Sequence, residues 1–456
     1  MDQQQKRILA IVLIIVIGVG TGVTVFLVVG TGGYETPGVS GVDDDRMIKI
    51  GLLGGLTEIQ GEGNYRGAWL AAHEINSGGG VQVNGETYYI GLAKQDTDES
   101  NPQLDVSKGV AAAEKILEVD GAEYIVGGFR TESLKAYLEV VMDAKKLFIG
   151  TGASTDSFCQ NVLDNYDRYK YWFRIMPINS TVLGGEVFTF LGYMDAVLEG
   201  MTGKTINKAA IIREDLDWTL PMDAALNALL EPALGIELMT DIAYPITATA
   251  TDFTTYWNQI DDTGAQIVIP IVSAQGGIHM MKQYSAIQPG CVVIGIDVQS
   301  QLDSYWDDTA GGCEFETIMQ PLVRTNKTGI SIEYWDAFQD KWGDAPLYTA
   351  SGAYDAVNLI AWAIEESQSF DQDTLVAKIE GVNAQNPLTD FSAMANKLAF
   401  TSSHDLLEGW PYGVTLFGQW QDGEKICVPT SGFIYPDSIA TGTYQLPDWE
   451  GWEING

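Results

Sequence analysis

From residue 47 onward the chain alternates short apolar runs with longer segments of helical periodicity, and this alternation constrains the fold more than any other feature. "MIKIGLL" leads to "YRGAWLAAHEIN", "TYYIGLAKQD" to "NPQLDVSKGVAAAEKILEV", and "AEYIVGG" to "ESLKAYLEVVMDAKK" before "LFIGT". Strand-like runs separated by helices read as βα units around a parallel sheet. A second series begins near residue 208 with "KAAIIRED", "LPMDAALNALLEPAL" and "IELMTDIAY", and continues through "AQIVIPIV" and "CVVIGID". The C-terminal part adds helical stretches but too few strands for a third sheet, so it is expected to complete two α/β lobes.

Open parallel sheets bind ligands outside the carboxyl ends of their strands, and two facing lobes turn that edge into a cleft. In the first lobe the loops there are "GGLTEIQGEGN", "GGFRTES" and "GTGASTD". Their small hydroxyl residues and helix N-termini form a seat for a carboxylate. Taken singly, Thr131, Ser154 and Thr155 read as well as helix caps. The second lobe offers "REDLDWTLP", "IVSAQGG" and "GIDVQSQLDSYW". Asp297 ends an apolar strand, where it either reaches the cleft or caps the next helix, and Trp218 either walls the cleft or packs between sheet and helix. A carboxylate seat facing an acidic, aromatic surface suits a zwitterion.

No phosphate loop is present. The glycines after the first strand lack the G-x-G-x-x-G and G-x-x-x-x-G-K-[ST] spacings, and the loop carries Glu58 and Glu62 where phosphate needs positive charge. The glycines are expected to let the chain turn close beneath a small ligand. Basic residues number 25 against 61 acidic, giving a net charge of −36 that repels nucleic acid. His73, His279 and His404 stand apart, with no nucleophile elbow and no metal spacing. Neither an enzyme, a cofactor nor a metal is expected.

Ahead of the folded part, Lys6 and Arg7 precede an uncharged apolar segment at residues 8–29. At about 1.5 Å per residue it reaches roughly 33 Å, enough to cross a bilayer core of about 30 Å and longer than a cleaved leader's apolar region. It is expected to remain as a single anchor, with residues 1–7 cytoplasmic, 30–46 a flexible tether, and the fold outside the cell. There disulfides persist. Cys159, Cys291, Cys313 and Cys427 read either as two disulfides or as four buried thiols, and the pairing expected is Cys291 with Cys313, each of which begins a strand of the second lobe. Asn179 and Asn326 lie in N-x-[ST] sites for glycan.

In order and spacing, "IKIGLLGGLT", "QGEGNYRGAWLAAHEINSGGG", "DTDESNP", "IVGG", "FIGTGAST", "YWFRIMP", "TATDFT" and "ASGAYDAVNLIAWAIE" resemble the extracellular solute-binding proteins of ABC importers, in the branch of the leucine/isoleucine/valine-binding proteins. The resemblance runs from about residue 48 to 428. It implies two Rossmann-like lobes, at 47–175 with 322–412 and at 176–321 with 413–456, joined by crossings near 174–177, 320–322 and 411–417. It places a ligand carboxylate against Thr131, Glu132, Ser133, Gly152 and Ser154, matches the ammonium partner to Asp297, one cleft tyrosine to Trp218, and another to Ser273 or Ala274. The chain departs from the family in a shorter "LTEIQGEG" loop, in Arg130 beside the carboxylate seat, and in a more open or more polar surround at Ser273 and Gln275. The implied function is capture of an amino acid or related small polar solute for an ABC permease. The competing reading is a ligand sensor acting through a separate signalling partner.

Overall fold

The computed structural model describes residues 33–456 apart from Leu104, Ala274 and Gln275. The expected anchor at 8–29 and the candidate site residue Gln275 therefore lie outside the described residues. Two large sheets form the core. In the first, β1 (Met47–Gly54), β3 (Glu86–Asp96), β4 (Tyr124–Gly127), β5 (Phe148–Gly150) and β6 (Trp172–Arg174) run parallel, with the short β2 (Val81–Val83) antiparallel at the edge, in the order β2-β3-β1-β4-β5-β6. In the second, β7 (Lys208–Glu214), β8 (Glu237–Tyr244), β9 (Ile267–Val272), β10 (Val292–Asp297) and β11 (Thr317–Gln320) are parallel. Every residue of β4, β5, β6, β9, β10 and β11 is buried. Parallel strands covered on both faces need such unbroken apolar runs, which is why the sheets show in the sequence.

A hairpin, β12 (Leu388–Thr389) with β13 (Lys397–Leu398), follows the C-terminal helices. Then β14 (Leu416–Gln421) and β15 (Glu424–Cys427) return antiparallel to close the second sheet in the order β15-β14-β11-β10-β9-β7-β8. The chain thus passes between the sheets after β6, after β11 and before β14. The helix after the first passage, Ser180–Thr202, is long and apolar enough to cross a membrane. Here its Leu183, Val187, Phe190, Leu191, Met194 and Leu198 are buried in the protein core.

Three expectations meet a different arrangement. Residues 34–46, expected within a flexible tether, lie on the first sheet. Glu35 and Leu92 exchange backbone hydrogen bonds of 2.9 and 2.8 Å, and the Glu35 carboxylate accepts from Tyr65 Oη and Trp69 Nε1, both at 2.7 Å. All four cysteines are free thiols, Cys291 and Cys313 included. Both are buried in one apolar cluster of the second lobe with Trp257, Tyr284 and Trp420, where a thiol packs as a small hydrophobe. Asn179 caps the Ser180–Thr202 helix, its side-chain oxygen accepting from the backbone N–H of Thr181 and Val182 at 3.0 and 3.1 Å while its nitrogen donates to Asp405 at 2.9 Å. The Asn179 amide is thus engaged at a helix start, whereas Asn326 is exposed.

The glycines after β1 serve packing. A Cβ on Gly61 would stand 2.1 Å from the Gly55 carbonyl, and one on Gly67 only 1.9 Å from the Ala350 carbonyl. They let helix Ile59–Ser77 lie directly against β1's exit loop and helix Tyr348–Ser367.

Candidate functional site

Between the carboxyl ends of the two sheets lies a cavity with about 60 Å³ of room for the centres of water-sized molecules, several times the roughly 10–15 Å³ that one water needs. From the first sheet it takes Phe129, Arg130 and Thr131 after β4, and Gly152 and Ser154 after β5. The second supplies Leu216 and Trp218 after β7, Ser273 after β9, Ile296, Val298 and Gln301 on and after β10, and Met319 at the end of β11. Ile178, Pro321 and Thr415, at the three passages, complete the wall with Leu183 and Tyr348.

The polar end belongs to the first lobe. Arg130 is 3% exposed and its backbone N–H donates to Glu99 Oε2 at 2.7 Å. Glu99, whose other oxygen accepts from Tyr137 Oη at 2.6 Å, is pushed up to about 7 by burial. Helix Thr131–Asp143 starts beside Arg130 and aims its N-terminal turn toward this end, while the Thr131 and Thr155 hydroxyls meet at 2.5 Å. The second loop is braced from behind. Buried Arg174 grips Asp405 through two bonds of 2.7 and 2.5 Å and donates to the carbonyls of Ala153, Ser154 and Thr155 at 3.2, 2.7 and 3.1 Å. Tyr348 Oη also donates to the Gly152 carbonyl at 3.0 Å. Sequence reasoning missed Arg174, although an Arg closing a fully apolar strand marks a buried ion pair.

Among the described residues no Asp or Glu lines the cavity. Its one charged wall residue is Arg130, and apart from the Thr, Ser and Gln groups its surface is apolar. That chemistry accepts an anionic head on an apolar or weakly polar body.

Of the residues singled out from sequence, Arg130, Thr131, Gly152, Ser154, Trp218 and Ser273 come together on this cavity. Three others do not. Successive strand residues face opposite ways, so while Ile296 and Val298 line the cavity, Asp297 between them turns away. Its oxygens accept from the Gln299 backbone N–H at 3.0 Å and Tyr305 Oη at 2.8 Å, and burial raises its carboxyl to about 7. It is fully buried behind the wall and is not placed to meet a ligand there. Ser133 faces helix Ser107–Glu118, where a Cβ added at Gly109 would stand 2.7 Å from its Oγ. Glu132 reaches across the cleft and accepts from the Asp217 backbone N–H at 3.2 Å.

Glu214, the buried last residue of β7, was not anticipated. Its Oε2 accepts from Ser273 N and Oγ at 2.9 and 2.5 Å and from Trp218 Nε1 at 3.3 Å, so it sets two of the wall residues. Direct bonds also join the lobes over the cavity. Gln60 Nε2 donates to the Ser273 carbonyl at 2.8 Å, Tyr348 N to Gln301 Oε1 at 3.0 Å, and Lys135 pairs with Asp217 at 3.0 Å.

A family model described as periplasmic binding protein matches residues 47–402, through both sheets and the cleft. The chain belongs to that family. Among curated relatives, Leu/Ile/Val-binding protein homolog 7 of Brucella abortus is 23% identical over 410 residues, covering 88% of this chain and 94% of the relative. Among solved structures, the branched-chain amino acid transporter substrate binding protein of Streptococcus pneumoniae, in complex with isoleucine, superposes with a TM-score of 0.65 at 14% identity, covering 83% of this chain and 97% of that one. A solute binding protein of an ABC transporter from R. palustris, in complex with benzoate, gives 0.64 at 15% identity over 84% and 95%. At such identities the superpositions show a shared fold. The family match makes the chain a binding protein and not an enzyme.

Proposed function

We propose that this chain is a membrane-anchored extracellular receptor that captures an amino acid or related small carboxylate between its lobes and delivers it to an ABC permease. The observation that carries the reading is the interlobe cavity whose only charged wall residue among those described is Arg130, flanked by the hydroxyls of Thr131 and Ser154 and by a helix N-terminus. A carboxylate there meets a buried cation and N–H donors shielded from water, where charge-assisted hydrogen bonds are strongest. The apolar remainder of the wall, from Phe129, Leu216, Trp218, Ile296 and Met319, takes an aliphatic or aromatic body. Relatives of this fold solved with isoleucine and with benzoate support both options. The anchor reading rests on the apolar run at 8–29 after Lys6 and Arg7.

A thermal-shift screen of the full chain against leucine, isoleucine, benzoate, neutral amides and sugars tests the proposal, because a ligand stabilises the form it binds. Shifts confined to carboxylates are expected. Shifts only with sugars or neutral amides would contradict it. Sequencing the N-terminus of membrane-extracted protein tests the anchor: a mature chain starting beyond residue 29 would show cleavage.

A further inference from the structure

A second and larger cavity opens in the same cleft, with about 470 Å³ of room on the same measure. The first lobe contributes Thr57, Glu58, Gln60 and Ser100, and the second contributes Thr247, His279 and Gln299. Gln60 separates it from the inner cavity, since its side chain lines the outer one while its Nε2 holds the carbonyl of Ser273, a wall residue of the inner one.

The two cavities differ in charge. Among its described residues the inner wall has one charged side chain, Arg130. The outer wall has one carboxylate, Glu58, the only Asp or Glu among its described lining residues. Glu58 Oε1 accepts from the Ser100 backbone N–H at 2.6 Å, which fixes the carboxylate, but its Oε2 has no hydrogen-bond partner. Gln60 Oε1 has none either, although the residue is 1% exposed. Two buried acceptors without donors, on side chains that border one cavity, are costly unless a donor arrives. Burial raises the Glu58 carboxyl above its ordinary range, an effect partly offset by its hydrogen bonds from Ser100 and, less, by the Arg130 cation. An anion-seeking and a cation-seeking cavity thus lie side by side.

We propose that the outer cavity is a second ligand subsite that takes a primary ammonium group, with Glu58 as its ionic partner and Gln60 Oε1 as a second acceptor. It rests on the inner cavity holding the carboxylate of the same ligand, which is then a dipolar molecule lying across the Gln60 boundary with its ammonium toward the cleft mouth. The ammonium's three N–H donors match the two vacant oxygens and leave one for water or a cleft side chain. A cation partner at Glu58 also replaces the one that Asp297, facing away, does not provide.

Calorimetric titration of the full-length protein in detergent micelles, using propanoate, butanoate, pentanoate and hexanoate beside their ω-amino counterparts, tests the subsite. In the wild-type protein at least one ω-amino acid is expected to bind at least about tenfold more tightly than its matched acid, as a desolvated charge pair permits. Glu58→Gln should bring that ratio toward one, and Gln60→Met should lower it by a smaller factor, which serves if the first variant does not fold. A ratio near one for every wild-type pair, or a gain that survives both substitutions, overturns the subsite and leaves the inner seat standing. If no acid and no amino acid binds, the inner seat falls and the subsite with it.

Discussion

Arg130 is the side chain on which binding should depend most. It is buried, it is the sole charged side chain among the described residues of the inner cavity, and truncating one partner of a buried charge pair costs about 2–5 kcal/mol. Arg130→Met is therefore expected to weaken a carboxylate ligand by roughly thirty-fold to several thousand-fold at 1.4 kcal/mol per decade. Titration with whichever of leucine or benzoate the wild type binds checks this, and an affinity within about threefold of wild type would remove Arg130 from the site. Asp297→Asn should behave oppositely, leaving affinity within about threefold because Asp297 faces away from the ligand. Its effect is on stability. The folded carboxyl titrates near 7 against an ordinary 3.8, so the native state loses stability as pH rises from about 4 to about 7 and holds level above that. Asn carries no such penalty. The variant's melting temperature should gain on wild type between pH 5 and pH 8, and a gap that does not change with pH would reject the assignment. The residue types at these positions were legible in the sequence, but their directions were not. A one-residue shift in the register of β10 decides whether 296 or 297 faces the cleft, and local pattern in a strand apolar on both faces does not fix it.

At the scale of elements, the approach of helix Ile59–Ser77 to helix Tyr348–Ser367 holds the site's roof. Thr349 Oγ1 donates to the Gln60 carbonyl at 2.9 Å, and Tyr348 lines the inner cavity. A methyl at Gly67 would meet the Ala350 carbonyl at 1.9 Å, and backbone cannot rotate out of the way. Gly67→Ala should consequently destabilise by about 1–3 kcal/mol through overpacking, despite alanine's better helix propensity. Urea unfolding measures it, and a variant as stable as wild type would show that the helices are free to separate. The strands of both sheets could be read because buried parallel strands are continuously apolar. The docking of residues 34–46 could not. That stretch is rich in Gly, Pro and Asp and has no periodicity, and its attachment comes from tertiary partners, Leu92, Tyr65 and Trp69, that local pattern does not reveal. The same holds for the cysteines, whose four positions in sequence carry no information about which buried cluster each enters.

For the molecule as a whole, the functional property is the division of one cavity between two lobes. Gln60 to Ser273, Gln301 to Tyr348 and Lys135 to Asp217 are bonds made only when the lobes are together. The last is about half exposed on both sides and contributes under about 1 kcal/mol, so closure must draw most of its stabilisation from the buried contacts and from a ligand that touches both lobes. The two-lobe layout was legible from two successive βα series. The place of Arg130 beside the carboxylate seat was legible as well, whereas the absence of Asp297 from the wall was not, since it follows from which side chains each strand end turns inward. The most direct test is a calorimetric titration of the full-length protein with leucine and with benzoate, each beside its primary amide, leucinamide and benzamide. With a carboxylate seated at Arg130, at least one acid should bind saturably at a single site, and its amide, unable to offer the anion, at least about thirtyfold more weakly. Amides that bind as tightly as the acids, or a failure of both acids to bind, would contradict it.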